Sequence, residues 1–155
     1  MTTAPDQFKK ISDNRKAFFD YAIEERVEAG IVLTGTEIKA IRSGQVNLRD
    51  AYARIQNGEM WLYNMHIAQW RGGGPWNHEP LRARKLLLHK TELARLGLKA
   101  GQQGLTIVPL RLYIKHHRAK IEVALAKGKR KYDKRQTIIR RETDREMQRA
   151  IRLRQ

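Results

Sequence analysis

The stretch that decides the fold is Leu105-Thr-Ile-Val-Pro-Leu-Arg-Leu-Tyr-Ile-Lys115, followed after His116-His117-Arg118 by Ala119-Lys-Ile-Glu-Val-Ala-Leu125. In the second arm, apolar residues alternate strictly with Lys120, Glu122 and Ala124. This period of two is typical of a β-strand with one buried face. We therefore predict a long hairpin with His116-His117-Arg118 at its tip.

Shorter β-like runs precede this hairpin. Ala51 to Gln56 and Glu59 to His66 flank Asn57-Gly58, which is the strongest short signal for a tight hairpin. In the second run, we expect Trp61, Tyr63 and Met65 to face one side of the sheet. Alternation over 17–24 predicts a strand that breaks at 28–30, and two further runs begin at Ile31 and at Arg84.

Two short helices are predicted between the strands. Thr34 or Thr36 can cap a helix that ends at a left-handed Gly44, and Thr91 to Leu96 predicts a second helix ended by Gly97. About six short antiparallel strands favour a small closed barrel, because closure removes exposed edges. The fold class is mainly β: a barrel of the oligonucleotide-binding type with two to three flanking helices, and a two-sheet sandwich as the second choice.

The charge is distributed unevenly along the chain. The net charge is +16, and residues 127–155 contribute +8 of it, from 12 Lys/Arg and 4 Asp/Glu. A balance this basic points to nucleic acid, ahead of an anionic membrane surface. We divide the chain into a flexible N-terminus (1–13), an RNA-binding barrel (14–126) and a basic tail (127–155), which is disordered or helical depending on its partner.

Composition excludes several classes of chemistry. The chain has no Cys, no His-Glu-x-x-His pattern and no Ser nucleophile elbow, so we expect no catalytic residue, no metal and no cofactor. The glycines at 72–74 precede Pro75 and predict a flexible turn, not a phosphate-binding loop. With no spanning apolar run and no signal peptide, we expect a cytoplasmic monomer that does not bind membranes.

The tail begins with six cations within nine residues, together with Gly128 and Tyr132. Glycine allows the backbone to approach a phosphate, and an aromatic ring among cations is typical of RNA binding. A solvated, solubilising tail is the competing interpretation. Charge alone leaves three functions open: an RNA adaptor, a general nucleic-acid or ribosomal structural protein, and an enzyme whose site is not visible.

Several ordered motifs narrow this choice. They are Asn14-Arg15-Lys16-Ala17, Glu28-Ala29-Gly30-Ile31-Val32-Leu33-Thr34-Gly35-Thr36-Glu37-Ile38-Lys39, Asn47-Leu48-Arg49-Asp50-Ala51-Tyr52, Asn77-His78-Glu79-Pro80, Arg84-Lys85-Leu86-Leu87-Leu88-His89-Lys90, Val108-Pro109-Leu110, Ala124-Leu125-Ala126-Lys127-Gly128-Lys129 and Tyr132-Asp133-Lys134-Arg135. Through them the chain resembles the SsrA-binding protein (small protein B) family, bacterial partners of transfer-messenger RNA. The resemblance implies a non-enzymatic adaptor for trans-translation, the rescue of stalled ribosomes. The barrel would hold the tRNA-like domain of this RNA, and the tail would occupy the empty decoding site and the mRNA channel.

The resemblance also implies site residues. Asn14, Glu28, Leu87 and His89 carry over by motif to the RNA-binding surface, and we add Lys39, Arg42 and Lys85 on electrostatic grounds. The complete predicted RNA-binding set is Asn14, Arg15, Lys16, Glu28, Lys39, Arg42, Lys85, Leu87, His89 and Lys90. The predicted ribosome-binding tail set is Lys127, Gly128, Lys129, Arg130, Lys131, Tyr132, Asp133, Lys134, Arg135, Arg140, Arg141, Arg145, Arg149 and Ile151.

Overall fold

The structure is a computed structural model that describes residues 8–129 and 131–153, without the side chains of 131–134. Nine strands and four α-helices are described. In chain order they are β1 (Phe8–Asp13), α1 (Arg15–Asp20), β2 (Tyr21–Ile31), α2 (Gly35–Arg42), β3 (Val46–Asn47), β4 (Tyr52–Gln56), β5 (Glu59–Tyr63), β6 (His66–Ile67), a 3₁₀ turn (Gly74–Trp76), β7 (Arg84–Leu87), α3 (Lys90–Gln103), β8 (Thr106–Lys115), β9 (Arg118–Gly128) and α4 (Lys131–Leu153).

The main sheet closes on itself. Its strand order is β1-β8-β4-β5-β7-β2-β9, and β9 pairs again with β8, so six strands form an antiparallel ring. Strand β4 pairs with β8 through Ala53 and Ile107. Farther along the same edge of β8, the partner strand is β1. This confirms the predicted OB-like barrel of about six strands, and the sandwich is wrong.

The barrel interior is filled by the alternating apolar residues of its strands. Met60, Leu62, Leu86, Leu112 and Ile121 are all fully buried there. Burial of such side chains from several strands supplies most of the free energy that holds a small barrel together. On the outside, Val108 and Leu110 of β8 and Ala124 and Ala126 of β9 form a second buried cluster with Ala17 of α1.

Two hairpin turns have the predicted positions. Asn57 and Gly58 both have positive φ, at 52° and 75°, which is the pairing of a two-residue turn that matches strand twist. His116 and His117 have φ of 50° and 65° and form the equivalent turn between β8 and β9 without any glycine. The long hairpin is confirmed, with a two-residue tip.

The helix α2 has the predicted signals at both ends. The Thr34 hydroxyl accepts from the Glu37 N–H, and the Glu37 carboxylate accepts from the Thr34 N–H, so the two residues form a capping box. Gly44 follows the helix with φ of 75°.

The prediction for α3 was too short, because the helix continues through Gly97 to Gln103 and ends at a left-handed Gly104. A Cβ at Gly97 would lie 3.4 Å from Ile55, so glycine there fits helix against barrel.

Three expectations near the N-terminus are wrong. The flexible N-terminus was expected over residues 1–13, but Phe8–Asp13 forms β1 and pairs with β8, and residues 1–7 lie outside the described residues. The strand expected from residue 17 begins as helix α1, because Asn14 caps that helix, and the strand proper starts at Tyr21. The expected break at 28–30 does not occur. Gly30 stays in β2, where a Cβ would lie 3.3 Å from the Leu87 Cβ across the strand pair.

The expected side-chain faces after β5 also need correction. Trp61 and Tyr63 are half-buried, whereas Met65 is fully buried and so does not share their face. The cause is Asn64, whose positive φ of 63° interrupts the alternation.

The tail forms one helix, α4, after β9 has continued two residues beyond the expected boundary at 126. Within 135–153 every side chain except that of Thr137 is exposed. Arg141 lies over the Phe19 ring of α1, with its guanidinium carbon 5.8 Å from the ring centroid. The helix therefore touches the barrel near its own start and extends into solvent.

Candidate nucleic-acid interface

One surface groove combines cations with exposed apolar side chains. A cavity of about 280 Å³ lies between α2, the β2–β7 strand pair and the tip of the β8–β9 hairpin. Its floor includes Gly30 and Leu87, and its rim carries Arg42, Arg118 and Lys120. We call this surface the cationic groove. Such a combination binds a polyanion through its phosphates and a sugar or base edge through apolar contact.

The strand register places three predicted residues on the outer face beside this groove. Gly30 of β2 lies opposite Leu87 of β7, so Glu28 and Lys85, each two residues earlier in its own strand, share that outer face. Leu87 is 51% exposed, which is unusual for leucine on a barrel surface. The Lys85 ammonium lies 3.2 Å from Glu59, a partner that it can exchange for a phosphate.

Glu28 is held by neighbours on β8. Its carboxylate accepts a short hydrogen bond from the Tyr113 hydroxyl and lies 3.7 Å from the Lys115 ammonium. Burial, together with the hydrogen bond to Glu28, raises the pKa of Tyr113 far above its ordinary value, so the phenol remains a donor at neutral pH. The arrangement fixes one carboxylate at the edge of a basic surface, ready to accept from a ribose hydroxyl or a base.

Other predicted residues of the barrel are less concentrated. Arg42 lines the groove, and Lys39 lies one turn earlier on the exposed side of α2. His89 is exposed at the start of α3, where its backbone N–H donates to Glu92 at 3.4 Å. Lys90 lines a different cavity, between α3 and the β4–β5 turn. The structure thus brings Arg42 and Leu87 together in the groove, places Glu28 on the outer face beside it, and leaves Lys90 apart.

Asn14 has a structural position. It is 2% exposed, its side-chain oxygen accepts from the Ala17 N–H, and its amide donates to the carbonyls of Leu48 and Pro109 at 3.1 and 2.8 Å. These bonds use the capacity of the side chain and tie α1 to β8. Asn14 is therefore placed to hold α1 in position, not to contact RNA through its side chain.

Arg15 and Lys16 lie on exposed α1, away from the lining of the cationic groove. Both line a cavity of about 460 Å³ that also includes Arg49 and Arg141. The Lys16 ammonium lies 2.7 Å from Asp50, and its hydrogen bond lowers the pKa of the Asp50 carboxyl. This second basic surface joins the barrel to the tail helix.

At the base of the tail, Lys129 connects the two parts of the chain. Its ammonium donates to the Phe18 carbonyl at 3.3 Å and to the Thr137 hydroxyl at 3.0 Å. Its backbone N–H donates to the Asp20 backbone carbonyl. Arg130 lies outside the described residues, as do the side chains of Lys131, Tyr132, Asp133 and Lys134. The remaining predicted tail residues are exposed: Lys127, Gly128, Arg135, Arg140, Arg141, Arg145, Arg149 and Ile151.

Sequence reasoning missed a buried charge cluster between α2 and β7. The fully buried Glu37 accepts from Arg82 at 2.6 Å and forms a short ion pair with the fully buried Arg84. Arg84 also donates to the carbonyls of Met65 and Pro80. Burial alone would raise the pKa of Glu37, but hydrogen bonds from Arg82, the Thr34 N–H and Arg84 outweigh it, so its pKa lies below the ordinary value. The signal available in the sequence was that Arg84 lies two residues before Leu86 in the same strand, so both side chains face inward.

Arg118 and Lys120 were also missed as groove residues. They follow the hairpin tip, and only the pairing of β9 with β2, with Gly30 opposite Lys120, brings them to Leu87. Their alternation in β9 marked them as outward-facing, but not which strand lay beside them.

No three His, Asp or Glu side chains of the described residues are close enough to hold a metal ion. Among the described helices, none is both long and apolar enough to cross a membrane.

The fold and the two basic surfaces define a class: a small OB-like barrel that presents cations to nucleic acid, with a basic helical extension. The sequence profile described as "SmpB protein" matches residues 11–153. The chain belongs to this family.

Known relatives agree with this assignment. The chain is 58% identical to the SsrA-binding protein of Carboxydothermus hydrogenoformans over 146 residues, covering 94% of this chain and 98% of the relative. It is 54% identical to that of Desulfitobacterium hafniense strain DSM 10664 / DCB-2 over 149 residues, covering 96% of each. A solved structure described as "tmRNA-SmpB: a journey to the center of the bacterial ribosome" matches with a TM-score of 0.67 and 44% identity, covering 83% of this chain and 94% of that chain.

Proposed function

We propose that this protein is an RNA-binding adaptor that binds the tRNA-like domain of transfer-messenger RNA and delivers it to stalled bacterial ribosomes for trans-translation. The observation that carries the proposal is the family match from residue 11 to 153, which spans both the barrel and the tail helix. The protein performs no catalysis in this role and acts in the cytoplasm, where the ribosomes are.

The barrel supplies the RNA-selecting surface. Arg42 and Leu87 line the cationic groove, to which the fold adds Arg118 and Lys120, and Glu28 lies on the same outer face of the sheet as Leu87. Phosphate contacts of these cations supply affinity, while Leu87 and the Glu28 carboxylate contact sugar and base edges. His89, Lys39 and Lys85 extend the surface around the groove.

The tail supplies the ribosome-selecting surface. The exposed Arg side chains of α4 spread along the helix, so that it presents cations on several sides to RNA. A rod of this kind fits a channel walled by phosphates, which is why we assign the decoding site and the mRNA channel to it. Residues 131–134, at the start of α4, enter the decoding site in this proposal.

Two variants test whether the barrel binds the RNA and the tail acts on the ribosome. Deleting residues 131–155 leaves affinity for transfer-messenger RNA within about two-fold, because the groove lies on the barrel, but abolishes peptide tagging on stalled ribosomes. Leu87→Ala weakens RNA binding about ten-fold, or roughly 1.4 kcal/mol, and reduces tagging in proportion. Filter binding and a reconstituted tagging assay measure the two quantities.

The matched control is Leu98→Ala. Leu98 is 61% exposed, similar to Leu87, but it lies on α3 away from the groove. We expect it to change neither quantity. Loss of RNA binding on tail deletion would show that the two surfaces are not separate.

A further inference from the structure

The outer face of the β4–β5 hairpin carries a row of aromatic side chains. Tyr52 and Tyr63 lie directly opposite each other, with ring centroids 5.5 Å apart and planes at 24°. The next outward pair is Arg54 opposite Trp61, and the Arg54 guanidinium lies 5.5 Å from the Tyr52 centroid. We call Tyr52, Trp61 and Tyr63 the aromatic row.

This row is not needed to fill the barrel. The residues that alternate with it, Ala53, Met60 and Leu62, are buried and form the inner face. The three aromatic side chains are half-buried, so part of each ring system remains accessible. Large apolar rings that a barrel leaves on its solvent side point to a partner.

Cations border the row on both sides. Trp61 lies opposite Lys85 of β7, and Arg54 is exposed and makes no ion pair with any residue that the structure describes. Beside Tyr52, a cavity of about 360 Å³ opens between α1, β4 and β8, and Tyr21 and Arg49 also line it. A cavity of this volume is within the range of small-ligand sites.

The cationic groove differs in its chemistry. Among the described residues that line it, none is Trp, Tyr or Phe. The groove can therefore bind phosphates and sugar edges, and its lining offers a base the His117 imidazole but none of these larger rings. The two surfaces suit two different forms of nucleic acid.

We propose that the aromatic row is a second RNA site, which binds two or three unpaired nucleotides by stacking their bases on Trp61, Tyr63 and Tyr52. Arg54, Arg49 and Lys85 contact the phosphates that connect the stacked bases. Stacking on aromatic rings tolerates any base sequence, whereas the flanking cations select a polyanion. The net charge of +16 favours RNA over a protein partner as the occupant.

Hexaadenylate RNA with a 5′ fluorescein label is the probe, and a hexamer of abasic ribose phosphates with the same label is its control. In the full-length protein, Trp61→Ala and Tyr63→Ala each weaken hexaadenylate binding about ten-fold, because each removes one stacking surface. Affinity for the abasic hexamer is unchanged. Fluorescence anisotropy measures both.

Two further variants complete the test. Tyr63→Phe keeps the ring and binds hexaadenylate as the parent protein does, and Trp76→Ala removes an 87% exposed ring outside the row without effect. The proposal is wrong if the two Ala variants bind hexaadenylate unchanged, or if they lose both probes equally. The first result would leave the row as a protein contact or as support for the hairpin, since cross-strand aromatic pairs also stabilise strands.

The fluorescence of Trp61 tests the proposal with the aromatic row intact, in case the Ala variants fail to fold. In Trp70→Phe/Trp76→Phe protein, Trp61 is the remaining tryptophan of the sequence. Hexaadenylate must quench its emission, and the abasic hexamer must not; equal emission with both probes overturns the proposal. These measurements use neither transfer-messenger RNA nor ribosomes, so their failure leaves the proposed function standing.

Discussion

The barrel and the tail helix are both rich in arginine, yet they treat that residue in opposite ways. In the barrel, Arg84 is fully buried and bound to Glu37 and two carbonyl groups. In α4, the arginines are exposed, as are the apolar Ile139, Met147 and Ile151. Arg84 thus stabilises the barrel itself, whereas the arginines of the tail remain accessible to a partner.

The difference shows where each region gets its structure. Strands of the barrel bury apolar side chains from distant parts of the sequence, which stabilises them cooperatively. Among the described residues, α4 contacts the rest of the chain near its own start, where Thr137 binds Lys129 and Arg141 lies over the Phe19 ring. An isolated helix of this kind is marginal in water, so its partner decides how much of it persists.

The largest contrast is expected from the same substitution in the two regions. Glu37→Gln leaves Arg84 as an uncompensated buried charge, and we expect the free energy of unfolding to fall by about 3–5 kcal/mol. Glu142→Gln, in exposed α4, leaves it unchanged. Urea unfolding followed by tryptophan fluorescence compares them. Equal effects would mean that the buried cluster is not what separates the two regions.

Acid should reveal the same cluster without any substitution. The pKa of Glu37 lies below its ordinary value of 4.5. Its stabilisation is therefore complete above pH 4.5 and is lost as pH falls from there through the folded pKa. We expect the unfolding free energy of the parent protein to fall more steeply over this range than that of Glu37→Gln. Parallel pH profiles would rule out Glu37 as the source.

The smallest difference in unfolding free energy between the two regions is expected for two threonine substitutions. The Thr34 hydroxyl caps α2, so Thr34→Ala should lower the unfolding free energy by about 1 kcal/mol. The Thr143 hydroxyl donates to the Ile139 carbonyl on exposed α4, and Thr143→Ala should change it by less than about 0.5 kcal/mol. The difference in thermal midpoints measures both. A larger effect at Thr143 would indicate that α4 is packed more firmly than its contacts suggest.

Turns and helix caps that are made by neighbouring residues were predicted correctly from the sequence. The Asn57-Gly58 and His116-His117 turns, the Thr34 cap and the left-handed Gly44 all depend on residues within one turn of chain. Predictions failed where a distant contact decided the outcome. Gly97 and Gly30 suggested a helix end and a strand break, but each instead gives room to a side chain from another element, Ile55 or Leu87.

The candidate site divides in the same way. Arg42, Leu87 and Glu28 could be selected at the sequence level, but the burial of Asn14 and the approach of Arg118 and Lys120 to Leu87 could not. An asparagine before a helix predicts a cap. The sequence does not indicate that the amide of this asparagine also donates to carbonyl groups of two distant segments.

The sequence by itself determined the class of strands, the two tight turns and the division of charge between body and tail, because alternation, turn residues and net charge are local or additive properties. Only the tertiary structure decided that Arg84 is internal while Arg118 and Lys120 meet Leu87. Those outcomes depend on which strands become neighbours when the barrel closes, and pairing between distant segments is set by the burial of the whole core.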